Sequence, residues 1–174
     1  MKMFLAFACA LLALCSEVYA QQRVVQKLPA VVLSGGVTVD LLAASDVAPI
    51  IVVRHLGATC SHCVEQVRAL IRYHDVSGPL PAKVYAISSD DVPTCDSMTR
   101  TLRFDTTAIA LCSDADDACA NALGCVISER DGTITDLHLV MILHRRRVLF
   151  EHYSITPLMS FGDVMRIAAD AMKR

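Results

Sequence analysis

The sequence carries no excess of either charge: sixteen lysines and arginines against eighteen aspartates and glutamates leave a formal net charge of −2. That balance gives no electrostatic footing for nucleic acid or an anionic membrane surface as partner. There is no internal repeat, no low-complexity tract and no composition shift that would divide the chain, so a single domain with a sizeable core is expected. Beyond the first twenty residues no apolar run is long enough to span a bilayer. No second C-x-x-C and no H-x-x-x-H accompanies Cys60-Ser61-His62-Cys63, so the remaining ligands of a closed zinc site are missing.

The first twenty residues read as an export signal. Lys2 precedes an apolar run from Met3 to Leu14, and Val18-Tyr19-Ala20 places small side chains where a signal peptidase cuts, so 1–20 is expected to leave before Gln21. A lipid-anchored alternative through Cys15 is weaker, because Leu14 stands where a small residue is required. The domain is then residues 21–174, periplasmic or secreted and with no stable membrane insertion. Of the eight cysteines, Cys9 and Cys15 leave with the signal; Cys60, Cys63, Cys95, Cys112, Cys119 and Cys125 remain. Disulfides persist outside the cytoplasm, and six cysteines allow fifteen pairings that spacing does not resolve.

Along the chain, Ala30–Leu33 and Val37–Leu42 flank Ser34-Gly35-Gly36 as a short hairpin, and Ala43–Pro49 reads as a connecting loop. Ile50–Val53 has no polar alternation and suits a strand covered on both faces. Val64, Val67, Leu70 and Ile71 repeat at helical spacing to about His74, and Lys83–Ser88 is a second buried strand, which together make a parallel βαβ unit. Asp90 or Asp91 caps a helix entered by Pro93, with Cys95, Met98 and Leu102 on its apolar stripe. Ile109–Cys112 is a third strand, a short helix carries Cys119, and Gly124 ends it. Cys125–Ser128 reads as an edge piece, Leu137–Leu143 and Arg147–Tyr153 as a hairpin. Thr156-Pro157 opens a last helix striped by Leu158, Phe161, Met165, Ala168 and Met172.

This layout puts Cys60 and Cys63 where a strand turns into a helix. The first-turn N–H groups are unpaired there and the helix dipole is positive, so a thiolate at Cys60 is stabilised over the thiol. The competing interpretations are a structural disulfide and half of a metal site.

The run Leu28–Leu41, then Ile50–Val53, then Ala58-Thr59-Cys60-Ser61-His62-Cys63 resembles the opening of the redoxin group: the alkyl hydroperoxide reductase/thiol-specific antioxidant proteins (peroxiredoxins) and the exported thioredoxin-like thiol-disulfide oxidoreductases. Ile87-Ser88-Ser89-Asp90 and Leu111–Asp116 resemble the ends of the second and third strands of a peroxiredoxin-like chain. The resemblance implies an α/β fold, a thioredoxin-like three-layer sandwich with a central mixed sheet and an N-terminal β-hairpin. It implies an oxidoreductase with no cofactor, whose partners are a thiol or disulfide substrate protein or a reductant thiol protein. The first expectation is disulfide exchange through C-x-x-C; the alternative is a peroxiredoxin-like thiol peroxidase reducing hydroperoxides, and the third is a non-catalytic copper- or partner-binding module. The chain has no P-x-x-x-T-x-x-C, no proline at Thr135-Asp136-Leu137, and Thr59 where these families often carry tryptophan.

The roles follow from these positions. Cys60 is the nucleophile and Cys63 resolves. His62 resembles the histidine between the cysteines of periplasmic thiol oxidases and would favour the Cys60 thiolate, its alternative being a solvated loop side chain. Thr59, Arg54 and His55 are possible supporting residues, although charges at a strand end are more often simply solvated. Cys95 is either a second resolving cysteine or a buried thiol of its stripe. No metal is expected. His138, at the start of the hairpin, would complete a soft set for Cu(I) with Cys60 and Cys63, but copper-delivery proteins of this fold use C-x-x-x-C.

Overall fold

The computed structural model describes residues 23–173; the signal expected over 1–20 lies outside the described residues. Chain order is β1 (Val31–Leu33), β2 (Thr38–Val39), α1 (Leu41–Val47), β3 (Ile50–Arg54), α2 (Ser61–Ser77), β4 (Lys83–Ser88), α3 (Val92–Leu102), β5 (Ile109–Ser113), α4 (Ala118–Leu123), β6 (Val126–Ser128), β7 (Ile134–Asp136), β8 (His138–His144), β9 (Arg147–Ser154) and α5 (Gly162–Ala171). Seven strands form one mixed sheet in the order β2-β1-β5-β4-β3-β8-β9, and β6 and β7 form a separate hairpin. Strands β3, β4 and β5 are parallel, as unbroken apolar runs joined by crossover helices require. Strand β8 runs antiparallel to β3, from Ile50 opposite Leu143 to Arg54 opposite Leu139.

Alternation along the strands makes two cores. One face carries Ile50, Val52, Ile87, Leu139 and Met141 against Leu41 and Leu42 of α1 and Cys119 and Leu123 of α4. The other carries Ile51, Val53, Ala86, Val140 and Ile142 against Val67 and Leu70 of α2, Met98 of α3 and Val164 and Met165 of α5. Helices thus cover both faces of the sheet, and the N-terminal hairpin pairs Val31 with Val39. Among the described residues no helix is long and apolar enough to cross a membrane.

Three segments depart from the sequence expectation. The supposed loop 43–49 lies largely within α1, and the second hairpin strand is cut to two residues. The Asp40 carboxylate accepts from the N–H groups of Leu42 (2.8 Å) and Ala43 (3.0 Å), capping a Leu-Leu-Ala-Ala run with high helix propensity. The last helix begins at Gly162 rather than at Thr156-Pro157, because the Leu158 carbonyl is taken by Gln66 Nε2 (3.1 Å) and the preceding segment is tied to α2 instead of coiling. Met172, the C-cap of that helix, is exposed rather than part of the buried stripe. Cys125 itself is buried, and the edge piece Val126–Ser128 finds its partner in β7 around the Arg130-Asp131-Gly132 turn.

Candidate redox site

Between β3 and α2 the chain crosses Leu56–Thr59. Gly57 has φ +102°, and a Cβ there would stand 2.8 Å from Asp90 Oδ1, so this crossing requires glycine. Asp90, just beyond β4, holds the loop: its Oδ2 accepts from the Ala58 N–H (2.8 Å) and from the Ser88 hydroxyl (2.9 Å). Of the two acids before Pro93, Asp91 caps α3 by accepting from the Thr94 N–H (2.9 Å), which leaves Asp90 for the site loop.

Cys60 is the N-cap of α2 and is half-buried; Cys63, one turn on, is buried. The two form a disulfide across a Cα–Cα distance of 5.2 Å. Each sulfur faces a backbone donor: the Cys63 N–H points at Cys60 Sγ (3.2 Å) and the Leu56 N–H at Cys63 Sγ (3.3 Å). After reduction the same two N–H groups would stabilise negative charge on either sulfur. Of the two sulfur-bearing residues, Cys60 is the one open to solvent. His62 and Thr59 are both exposed beside them.

Arg54 and His55 are not solvated strand-end charges, as their position at the end of the strand had suggested. They are 2% and 1% exposed, because β8 continues alongside β3 and α4 covers the other face. Arg54 follows Val53 and so points away from α2, where its guanidinium donates to the His55 carbonyl and to Asp117 Oδ1 (3.1 Å). It does not join the two sulfurs. His55 points to the α2 side, with its Nδ1 accepting from the Gly57 N–H (3.2 Å). Burial first, then the positive charge of Arg54 and the neighbouring His138, lower its pKa from 6.5 to about 3, so the ring is neutral. His138 is buried rather than at the site mouth, and burial, with Arg54, lowers its pKa as well.

Cys95, Cys112, Cys119 and Cys125 are free and buried. Burial pushes the Cys95 and Cys125 thiols up to about 11, the Cys119 thiol up to about 12 and Cys112 higher still. Cys95 is buried in the α3 stripe against the sheet. Among the described residues no group of three or more histidine, cysteine or acidic side chains is arranged to hold a metal ion. A groove of about 230 Å³ opens beside the loop between α2 and α3, lined by Ala58, Val64, Arg68, Met98 and Leu102. A cavity of about 1030 Å³ lies at the other end of the sheet, by Pro49, His74 and Lys83, away from the sulfurs.

No known family matches the chain by sequence, and no curated protein does. Solved structures do match it. The Xanthomonas campestris bacterioferritin comigratory protein, described for its alkyl peroxide reduction activity, superposes with a TM-score of 0.64 at 20% identity, over 87% of this chain and 100% of that one. The chain has the thioredoxin-like fold of the peroxiredoxins. Mycobacterium tuberculosis peroxidoxin BcpB matches with a TM-score of 0.69 at 16% identity, over 88% of this chain and 100% of its own. Vibrio vulnificus Prx3, solved reduced and in complex with hydrogen peroxide, gives 0.66 at 16% identity, over 87% and 96%. On this peroxiredoxin-type fold the strand-to-helix turn after β3 carries Cys60 and Cys63.

Sequence reasoning had not singled out Gly57 and Asp90 as site residues. The signal for Asp90 was the doublet Asp90-Asp91 ahead of Pro93, since one helix start needs only one cap. Nothing local marked Gly57, whose constraint comes from a side chain thirty-three positions away.

Proposed function

We propose that the protein is an exported thiol peroxidase in which Cys60 reduces a hydroperoxide and Cys63 resolves the oxidised sulfur. The observation that carries this reading is the placement of a half-buried cysteine, capping the first turn of α2, on a fold shared with peroxiredoxins over nearly their whole length. The Cys60 thiolate attacks the distal peroxide oxygen; the O–O bond breaks, the alcohol or water leaves with a proton, and Cys60 becomes a sulfenic acid. Cys63 then forms the S–S bond and expels the hydroxyl as water. A reductant thiol protein or small thiol reopens the disulfide by exchange.

Disulfide exchange as the primary reaction is the second reading, favoured by the close C-x-x-C pair and by the lack of P-x-x-x-T-x-x-C. Stopped-flow mixing of the reduced protein with hydrogen peroxide, an alkyl hydroperoxide and a model disulfide separates the two. The first reading expects peroxide oxidation far faster than for free cysteine, its loss in Cys60→Ser, and a trapped sulfenic acid in Cys63→Ser. Peroxide reaction no faster than with free cysteine, alongside rapid reaction with the disulfide, would replace it with exchange. Export is tested by the mass of the protein recovered outside the cytoplasm, which should begin at Gln21.

A further inference from the structure

Three polar atoms on the α2 side of the sheet are buried without a hydrogen-bond partner: His55 Nε2, His138 Nδ1 and Gln66 Oε1. The two histidines face each other. Pairing of β3 with β8 reaches Arg54 opposite Leu139, so His55 and His138 occupy the next step outward, and the His55 N–H still bonds the Ile87 carbonyl as a strand residue would. Alternation puts both rings on the face of Val53 and Val140, against which α2 packs. The Cys63 sulfur reaches the chain next to His55, accepting from the N–H of Leu56, the following residue. Gln66 is one helical turn beyond Cys63.

The tautomer of His55 follows from its surroundings. Its Nδ1 accepts from Gly57, so the proton of the neutral ring is on Nε2, and a buried N–H is left with no acceptor. Buried polar groups are nearly always paired, and an orphan calls for an explanation. In the closed state the Cys63 sulfur belongs to a disulfide and is a poor acceptor. In the dithiol state it can be a thiolate, and a hydrogen bond to an ionised acceptor is about twice as strong as a neutral one.

Resting on the redox-pair reading above, we propose that His55, backed by His138, is a positioning residue for Cys63: once the disulfide opens, its Nε2–H donates to the Cys63 thiolate and holds that sulfur ready to close the bond again. His62, which resembles the histidine of thiol oxidases, is exposed beside Cys60 and does not reach this face. The charged and titratable groups around the pair are Arg54 on β3, neutralised by Asp117 ahead of α4, Asp90 under the site loop, and Cys63 itself. Opening the disulfide adds two electrons and two protons; one proton resides on Cys60 or solvent, and the other is released when Cys63 is held anionic. On closure the thiolate attacks the Cys60 sulfenic sulfur, the S–O bond breaks, and the departing hydroxide takes up a proton as water. Because the donor is satisfied only after reduction, His55 favours the dithiol and makes the disulfide the stronger oxidant.

The test reads Cys63 without turnover. In Cys60→Ser protein, the thiolate absorbance of Cys63 followed against pH should give a pKa below the ordinary thiol value of about 8.5. Adding His55→Leu should raise it by about one unit or more, a tenfold loss of thiolate near neutrality. His55→Gln, whose side-chain amide N–H takes the place of Nε2–H, should restore part of the shift, and His62→Gln should leave it unchanged. In wild-type protein, imidazole nitrogen NMR should show the His55 signals moving between the oxidised and reduced states while those of His74, His144 and His152 stay. This last measurement needs no variant to fold. Unchanged Cys63 titration in a folded His55→Leu protein, or His55 signals identical in both states, would overturn the proposal. Slow reaction with peroxide would overturn the peroxidase reading alone.

Discussion

Gly57 is where the route to Cys60 passes over Asp90. With φ +102° and only 2.8 Å between the place a Cβ would occupy and Asp90 Oδ1, Gly57→Ala combines a left-handed backbone with a clash. A loss of about 1–3 kcal/mol in urea unfolding is expected, together with slower oxidation of Cys60 as the loop shifts. His55 gives a pH dependence whose sign follows from its burial. In the unfolded chain its ring protonates near 6.5, but in the native oxidised protein only near 3, so between these values the unfolded state binds more protons. Stability therefore rises with pH across that window and falls as acid is added. At about pH 5 the cost from His55 is about 2 kcal/mol relative to neutrality, with His138 adding in the same direction. Urea unfolding of the oxidised protein at the two pH values checks this, and His55→Gln should flatten the difference. Cys60, Cys63 and their strand-to-helix turn were legible from residue types and spacing. The burial of Arg54 and His55 was not, because a strand end looks the same in sequence whether water or a neighbouring strand lies beyond it.

At the scale of elements, α4 shows how a short helix is held by one side chain. It spans six residues, too few to be stable alone. Its start is fixed by Asp114, a buried carboxylate that accepts from the N–H groups of Cys119 (2.9 Å) and Ala120 (2.8 Å). Burial outweighs these bonds and raises the Asp114 pKa. Asp114→Ala should destabilise the fold by about 1–2 kcal/mol, seen in thermal unfolding, and increase hydrogen exchange at 118–123. The same loss loosens the turn that presents Asp117 to Arg54. Periodicity exposed α2, α3 and the three parallel strands. It failed for α1, where capping by Asp40 recruited a segment with no amphipathic repeat, and for the start of α5, where a long-range bond from Gln66 took the Leu158 carbonyl.

For the molecule as a whole, the sheet divides the six cysteines among the described residues into two populations. Cys60 and Cys63 sit at the end of the sheet in a disulfide; Cys95, Cys112, Cys119 and Cys125 are packed in the two cores as free thiols. In protein beginning at Gln21, a thiol-specific reagent should therefore find no fast-reacting group in the native oxidised state. Mild reduction should add the Cys60 and Cys63 thiols, and only denaturation should release the other four. Rapid labelling of a third thiol in the reduced native state would show that one of the cores opens. Spacing alone left fifteen pairings of six cysteines open, and the cores answer by burying four of them.

Taken alone, the order of residues determined the alternation of strands and helices, the layered α/β class and the close cysteine pair at a helix start. These depend on local propensity and on periodicities of two and 3.6 residues, which one stretch of chain carries within itself. Tertiary structure decided which groups surround that pair: Asp90 under the loop, Arg54 turned to the far face, His55 opposite His138. Those relations follow from strand register and helix placement between segments far apart in the chain, and burial, which governs their charge and their hydrogen bonds, exists only once the segments have met.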